Sequence, residues 1–241
     1  MRRAKQSVEF GGALDNKEWS DNILRKVDPS FKHRWEVFDD AIRKYVTPET
    51  VWLDLGCGDN ATIREFGPLA KQAIGVDIVR HEQLAGPFVL ADIRHLPFAD
   101  ASVDLITLRF VVEHFAERQS YFDELHRVLK PGGRIILLTT NIASPFIFLP
   151  RIFLPYPLKH ALITKIFKVA DEDIFPTYHQ ANSRHALQTL QGFTAEHFEY
   201  ISDLNYTRKW MFLVFLMWHI LTASRPLFFL RTNIFAVLRR E

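Results

Sequence analysis

The middle of the chain alternates short apolar runs with polar, helix-compatible stretches. Because strands that alternate with helical segments pair in parallel, this order predicts an α/β fold built on a doubly wound sheet. A short apolar run without alternation is typical of a parallel strand that is buried on both faces. The runs predict strands at 51–55, 72–76, 87–91, 103–108 and 134–140, with a helix at 117–129 before the last of them.

The pattern is less regular towards the two ends of the chain. Residues 1–48 are largely polar and are interpreted as an N-terminal extension with one helix, around Phe38 to Tyr45, that Pro48 closes. Residues 49–241 are interpreted as one domain with insertions at 142–181 and 204–231. Beyond the fifth strand we predict a helix capped by Asn182 and Ser183 that ends near Leu190, and strands at 193–201 and 233–238.

Both insertions are strongly apolar. Prolines at positions 145, 150, 155 and 157 stand among Phe, Ile and Leu, which disfavours a long helix and predicts an apolar loop over residues 145–157. Residues 158–170 have the pattern of a basic amphipathic helix that lies on a membrane, with Lys159, Lys165 and Lys168 mainly off the apolar face. Residues 210–221 are apolar on all sides, which predicts burial in protein or lipid.

Composition narrows the classes of function. At 241 residues, with 48% hydrophobic and 24% charged residues, the chain is long enough for a sizeable core. Its net charge of +2 argues against a dedicated nucleic-acid binder. One cysteine excludes an internal disulfide, and no apolar signal-peptide core follows the basic start. No apolar run is long enough to span a bilayer, so we expect a cytoplasmic protein that can bind the inner face of the membrane peripherally.

The most specific chemistry lies in residues 51–60. The strand ends in Gly56-Cys57-Gly58, a turn that lets the backbone approach a ligand at the carboxyl edge of the sheet. Asp77 ends the second strand about 20 residues later, where its carboxylate can accept both hydroxyls of a ribose. Cys57 is interpreted as a small buried filler. On their own, these features also fit a nicotinamide-dinucleotide site.

Three later motifs favour a different cofactor. They are Ala91-Asp92-Ile93-Arg94-His95-Leu96-Pro97-Phe98, Val111-Val112-Glu113-His114-Phe115 and Val128-Leu129-Lys130-Pro131-Gly132-Gly133. With these motifs in order, roughly residues 50–140 resemble the class I S-adenosylmethionine (SAM)-dependent methyltransferases of the type 11 group, which includes quinone-biosynthesis methyltransferases. A nicotinamide dehydrogenase would explain only the glycine turn and Asp77.

The resemblance implies a Rossmann-like, seven-stranded sheet whose last strand runs antiparallel between the fifth and the sixth. It also implies that the N-terminal extension covers the cofactor as a lid, that the cofactor is SAM and that the product is S-adenosylhomocysteine. The resemblance also implies the cofactor contacts. Gly56 and Gly58 would approach the methionyl and ribose portion, and Asp54 would meet the amino group. Asp77 would bind the ribose hydroxyls, Asp92 the adenine amine, and Ile93 would form an apolar wall, with Ile78 and Arg109 also in the cofactor site.

One position departs from the family pattern. Many members have a third glycine where this chain has Asn60. Asparagine is among the residues that best tolerate a left-handed backbone. We therefore expect the turn to be kept.

Candidate catalytic residues follow the fourth strand. His114 is the first candidate for a base that removes a proton from an acceptor hydroxyl or acidic carbon, and its alternative role is a helix-cap or packing histidine. Tyr178 and His179 are weaker candidates, in a segment that approaches the sixth strand and could line the acceptor pocket. No pattern indicates a metal site.

The insertions leave the acceptor side open to several interpretations. Residues 205–241 hold one acid, Glu241, against the cations Arg208, Lys209, Arg225, Arg231, Arg239 and Arg240. This cationic rim favours docking on an anionic membrane, where the protein would collect a hydrophobic or lipid-like small molecule for O- or C-methylation. A closed substrate cap and a homodimer interface remain alternatives, as do a polar or glycan-type acceptor and a SAM-binding protein without catalysis.

Overall fold

The computed structural model describes residues 13–82, 84, 86–154, 175–204 and 208–241. Its helices are α1 (Ala13–Val27), α2 (Arg34–Tyr45), α3 (Ala61–Phe66), α4 (Arg118–Val128), α5 (Pro145–Phe153), α6 (Arg184–Gln188) and α7 (Lys209–Leu221). Its strands are β1 (Val51–Leu55), β2 (Gln72–Asp77), β3 (Phe88–Leu90), β4 (Val103–Arg109), β5 (Leu129–Thr140), β6 (Phe193–Ile201) and β7 (Asn233–Arg240).

The strands form one sheet in the order β3-β2-β1-β4-β5-β7-β6. β1 pairs in parallel with β2 and β4, so that Leu53 lies beside Ile74 on one side and Ile106 on the other. β7 runs antiparallel to both β5 and β6. The predicted doubly wound α/β fold and its antiparallel seventh strand are confirmed. The carboxyl ends of all strands except β7 therefore meet at one edge, which we call the carboxyl edge.

Apolar side chains cover both faces of the sheet. On one face, Leu55 of β1 and Phe122 of α4 belong to one buried cluster. On the other face, Phe38 of α2 packs in a cluster with Trp52 and Ile136. Full burial of a side chain of this size contributes about 1.5–3 kcal/mol. α2 is thus part of the packed core, and it begins at Arg34, ahead of the predicted start at Phe38.

Some element boundaries differ from the sequence prediction. β5 begins at Leu129 instead of residue 134, because Leu129 pairs with Val103 before residues 130–133 leave the ladder and Arg134 pairs with Leu105. α6 is shorter than the predicted helix and begins after Ser183, whose side chain caps it. α1 was not predicted, since its sequence is mostly polar.

Residues 210–221, predicted to be buried in protein or lipid, lie in α7, and protein covers one side of this helix. One side of α7 packs onto α1 and its neighbours, where Phe212 and Leu216 are buried with Leu24. His219 on this side contacts the Ser202 hydroxyl through Nδ1 at 3.0 Å and the Asp28 carboxylate through Nε2 at 3.1 Å. The opposite side of α7 is exposed although it is apolar.

The loop predicted for residues 145–157 is wrong for residues 145–153, which form α5. Pro145 lies in the first turn of the helix, where a missing N–H costs nothing. Pro150 lies inside α5 and removes one hydrogen bond. The contacts of Phe146 with Phe215 and Trp218 on α7, at ring-centroid distances of 4.5 and 5.6 Å, offset that loss.

The amphipathic helix predicted for residues 158–170, with Lys159, Lys165 and Lys168, lies outside the described residues. Within the described ranges, every helix is too short or too polar to traverse a lipid bilayer.

Candidate active site

The glycine turn after β1 lies at the carboxyl edge. Gly56 has φ of +68°, and its N–H donates to the Val76 carbonyl at 2.8 Å. A Cβ on Gly56 would stand 2.3 Å from Cγ2 of Val111, so both the backbone and the space demand glycine. Gly58 also has positive φ, of +55°, but a Cβ there would meet no atom within 4 Å. The turn therefore presents open space on the side of Gly58.

Asn60 keeps the turn in the expected conformation. Its φ of 63° is left-handed, its side chain is buried, and Nδ2 donates to the Pro87 carbonyl at 3.0 Å. A Cβ at Gly75 would lie 2.0 Å from Oδ1 of Asn60, which requires glycine on the neighbouring strand. Burial raises the pKa of the Cys57 thiol to about 12, which suits the filler role predicted for it.

Asp77 is fixed at the end of β2 by two backbone groups. One carboxylate oxygen accepts from the Gly58 N–H at 2.8 Å and the other from the Val79 N–H at 3.0 Å. Each oxygen has a further lone pair for a ligand hydroxyl. Ile78 follows with most of its side chain exposed, which provides an apolar wall beside the carboxylate.

Asp54 lies buried in β1, one residue before the end of the strand. Its Oδ1 accepts from the Thr107 hydroxyl at 2.6 Å. Burial raises the pKa of this carboxyl to about 6, and the positive charge of Arg109 is the largest influence in the opposite direction. Asp54 and Arg109 therefore lie close together, one at the end of β1 and the other at the end of β4. Among the described residues, Arg109 makes no salt bridge, and its guanidinium lies 5.1 Å from the ring centroid of Trp35.

Asp92 lies beyond β3 in the predicted position, but its carboxylate already has a partner. Oδ2 accepts from Nη2 of Arg94 at 2.5 Å, and Oδ1 accepts from the Arg94 backbone N–H at 2.9 Å. The side-chain bond to Arg94 holds the pKa of Asp92 below its ordinary value. Ile93 is half-buried against the core. An adenine amine would share the Asp92 carboxylate with Arg94.

His114 lies just past β4 in a 3-10 turn, Val112–His114. Its Nδ1 is 2.8 Å from the Pro176 carbonyl oxygen. Because a carbonyl can only accept, Nδ1 carries the proton, and Nε2 of the neutral ring keeps its lone pair. Phe175 packs edge-on at 5.9 Å between ring centroids. This geometry suits the proposed base, although the same contact would also anchor a packing histidine.

The segment with Tyr178 and His179 is held at the carboxyl edge through its backbone. The N–H groups of Tyr178 and His179 donate to the Glu113 carbonyl at 2.7 and 3.0 Å. The Tyr178 side chain is exposed, and His179 has a left-handed φ of 55°. The structure thus brings both weaker candidates next to His114.

Two further residues of this region were not predicted. Glu113 is buried and accepts from the Thr139 hydroxyl at 2.7 Å, and burial raises the pKa of its carboxyl. It adjoins His114 in the motif Val111–Phe115, from which only His114 was predicted to have a role in the site. Arg34, which pairs with Asp203 at 2.5 Å, reaches this edge from α2. Arg34 is far from the other residues of this edge in the sequence, so no local pattern predicts that it lies there.

A family profile described as a methyltransferase domain matches residues 53–137, which run from β1 into β5 and include the turn, Asp77, Asp92 and His114. This part of the chain is therefore similar to a methyltransferase domain, as the sequence motifs predicted.

Known relatives are similar to this chain over part of their length. The malonyl-[acyl-carrier protein] O-methyltransferase of Yersinia pestis is 34% identical over 97 residues, which cover 37% of this chain and 36% of the relative. A ubiquinone/menaquinone biosynthesis C-methyltransferase of Cupriavidus pinatubonensis is 30% identical over 132 residues, or 48% and 54% of the two chains. The matched part thus spans about a third to a half of these relatives.

Solved structures confirm the fold over more of the chain. A SAM-dependent methyltransferase from Mesorhizobium loti superposes with a TM-score of 0.53, covering 83% of this chain and 96% of that one at 19% identity. At this identity the similarity shows the Rossmann-like fold alone.

The residues present fit SAM, the cofactor of this family. The space beside Gly58 is a cradle that any side chain would enter. Asp77 offers paired carboxylate oxygens to a diol, and Asp54 offers a buried carboxylate to an ammonium group. Arg109 stands beside Asp54 with no salt-bridge partner in the described ranges and would suit a carboxylate. This donor set matches the amino-acid and ribose ends of SAM.

Cofactor affinity is expected to depend on pH through Asp54. Its pKa of about 6 means that the carboxyl is mainly ionised at pH 7 and mainly neutral at pH 5. Since only the ionised form attracts the cofactor ammonium, affinity for S-adenosylhomocysteine should fall about tenfold from pH 7 to pH 5. Calorimetric titration of the wild type and of Asp54→Asn checks this. Equal pH dependence in both proteins would contradict the role of Asp54.

Proposed function

We propose that this protein transfers the methyl group of SAM to an oxygen or carbon atom of a hydrophobic or lipid-like small molecule, at a membrane surface. The observation that carries the proposal is the meeting of two features at the carboxyl edge. The residues that fit SAM follow β1 and β2. His114, whose Nε2 is available as a proton acceptor, follows β4. The intervening chain belongs to the matched methyltransferase domain.

In the proposed complex, Asp77 holds the ribose hydroxyls, while Gly56 and Gly58 let the backbone approach the ribose and methionyl portion. Asp54 and Arg109 hold the amino and carboxylate groups. Ile78 and Ile93 flank the adenine, whose amine reaches Asp92. The bound cofactor supplies an electrophilic methyl group.

His114 has the proposed role of removing the proton that the acceptor loses. General acid–base assistance of this kind contributes about 100- to 10,000-fold to a rate. Its Nδ1–H is held by the Pro176 carbonyl, which orients Nε2 away from that contact. Tyr178 and His179 have the proposed role of lining the acceptor pocket. Alignment of acceptor and methyl group adds up to roughly 7–11 kcal/mol at the favourable limit.

An apolar acceptor suits the surroundings of His114. Phe175 packs edge-on against the imidazole, and Tyr121 stacks on Phe115 at 4.0 Å between ring centroids. Two matched relatives are named for C-methylation in quinone biosynthesis and for O-methylation of a carrier-bound malonyl group, which supports either acceptor atom.

The proposed location rests on charge. Residues 145–170 and 204–240 contain no Asp or Glu, and they hold Lys or Arg at several positions. Basic side chains close to an anionic bilayer contribute about 1 kcal/mol each. A polar acceptor reached from solution would not need this arrangement.

The test is methyl transfer from tritiated SAM. The protein is incubated with a lipid extract and, separately, with the water-soluble extract of the same cells. Label that partitions into organic solvent supports the proposal. Label confined to water-soluble products would favour a polar or glycan-type acceptor with a closed cap or dimer interface. SAM binding with no labelled product in either extract would favour a binding protein without catalysis.

A further inference from the structure

The outer sides of α5 and α7 are apolar but exposed. On α7 the exposed side chains repeat at helical spacing: Trp210, Leu213, Val214, Met217, Ile220 and Leu221. On α5 they are Phe148, Leu149, Ile152 and Phe153. Met217 is 70% exposed and Phe153 is 72% exposed, values typical of surface polar residues. We call these ten side chains the apolar face.

The two helices form one continuous surface. Phe146 of α5 stacks on Phe215 of α7 at 4.5 Å and meets Trp218 edge-on at 5.6 Å. The Trp218 indole N–H donates to the Leu230 carbonyl at 3.1 Å, which brings exposed Phe228 and Phe229 to the same region. Contiguous apolar patches of this kind on soluble proteins generally mark an interaction site.

The apolar face lies on the side of the molecule that holds the candidate active site. α5 follows the carboxyl end of β5, and α7 connects the carboxyl end of β6 to the start of β7. The glycine turn, Asp77 and His114 follow the carboxyl ends of β1, β2 and β4 at the same edge. An occupant of the apolar face would therefore meet the acceptor side.

The charged residues on α5 and on the segments that flank α7 are all cationic. Arg151 lies on α5, and Arg208 and Arg225 flank α7; all three are exposed and make no salt bridge within the described ranges. A second copy of this chain, paired by a twofold axis, would bring this cationic surface against the same surface of its partner. Like charges at such an interface cost energy, whereas an anionic bilayer matches both the apolar stripe and its cationic rim.

We propose that the apolar face of α5 and α7 is the surface on which this protein docks to an anionic lipid bilayer. The exposed Phe, Leu, Met and Trp side chains enter the headgroup boundary, and Arg151, Arg208 and Arg225 contact the headgroup phosphates. The purpose of docking rests on the proposed function, since it brings a lipid-like acceptor to the carboxyl edge. Docking itself requires neither SAM nor methyl transfer, so each can fail alone.

Flotation with phosphatidylcholine vesicles, with and without phosphatidylglycerol, tests this surface. The wild type should float with the anionic vesicles at low salt. It should leave them when salt is raised well above 0.1 M, because charges are screened within roughly 10 Å already at 0.1 M. The double variant Leu213→Glu/Met217→Glu should not float. The control Leu69→Glu adds one such negative charge at an exposed leucine after α3, at the opposite edge of the sheet, and should float like wild type.

A second variant tests the charge independently of the apolar stripe. Arg151→Gln/Arg225→Gln should weaken binding to anionic vesicles about 25-fold, or about fivefold for each cation. Absence of wild-type flotation at low salt would overturn the proposal, as would flotation of Leu213→Glu/Met217→Glu. A dimer in sedimentation that this variant converts to a monomer, without vesicle binding by the wild type, would assign the apolar face to a second copy instead.

Discussion

The variant Asp77→Ala is expected to lose affinity for S-adenosylhomocysteine by at least about 100-fold. Hydrogen bonds to a charged group are worth about 1.5–3 kcal/mol each, and a ribose diol would make two of them to this carboxylate. The same change also frees the Gly58 and Val79 N–H groups, which Asp77 holds at 2.8 and 3.0 Å. Both effects weaken the cradle, and calorimetric titration measures their sum.

The control for this experiment is Asp100→Ala. Asp100 is an exposed carboxylate that pairs with Arg127 before β4, at the edge of the sheet away from the candidate site. It should bind the cofactor product as the wild type does. NAD should not compete with S-adenosylhomocysteine for the wild type. Wild-type affinity in Asp77→Ala, or competition by NAD, would refute the assignment of this crevice to SAM.

The variant His114→Ala is expected to lower turnover about 100-fold or more, with cofactor affinity unchanged. The physical reason is loss of the Nε2 lone pair, because general-base assistance contributes about 100-fold or more to proton removal. The measurement is single-turnover methyl transfer to the acceptor found in the labelling experiment, with calorimetry on the same sample.

A glutamine at position 114 separates the base from a packing role. His114→Gln can still donate a hydrogen bond to the Pro176 carbonyl, but it cannot accept a proton. If His114 is the base, the glutamine variant should be as slow as His114→Ala. If glutamine restores turnover, His114 only anchors the segment at Pro176. His185→Ala, an exposed histidine on α6, is the matched control and should be fully active.

The parts of the fold that sequence predicts well are those with a single dominant signal. β1 has its predicted bounds because a buried parallel strand followed by a glycine turn leaves few alternatives. The left-handed conformation of Asn60 is likewise confirmed, since few residue types tolerate it. The antiparallel seventh strand came from family resemblance, because the alternation of residues 233–238 alone sets no direction.

The sequence predictions are wrong or incomplete where contacts between distant parts of the chain override the local sequence pattern. Pro150 disfavours a helix, yet the stacking of Phe146 on Phe215 supports α5, and no local window includes that partner. Residues 210–221 are apolar all round, so periodicity could not show which side of α7 would be exposed. Arg34 reaches the carboxyl edge through Asp203, a contact that pairs distant parts of the chain.

The candidate site shows the same division. Asp54, Asp77 and His114 could be named because each lies near the carboxyl end of a predicted strand, where the family resemblance implies the cofactor and the acceptor. Glu113 was missed because a buried acid beside a histidine has no distinct pattern. The hydrogen bond from Thr107 to Asp54 could not be predicted from local sequence, because it depends on the pairing of β4 with β1, which places Thr107 beside Asp54.

A crystal structure of the complex with S-adenosylhomocysteine tests the central claim most directly, through the position of the sulfur and the lining of the space beyond it. We expect the ribose on Asp77, and the sulfur facing His114 Nε2 across an apolar space that is bordered by Phe175 and Tyr178. A sulfur turned away from His114, or a space lined by charged groups, would contradict methyl transfer to a hydrophobic acceptor at this site.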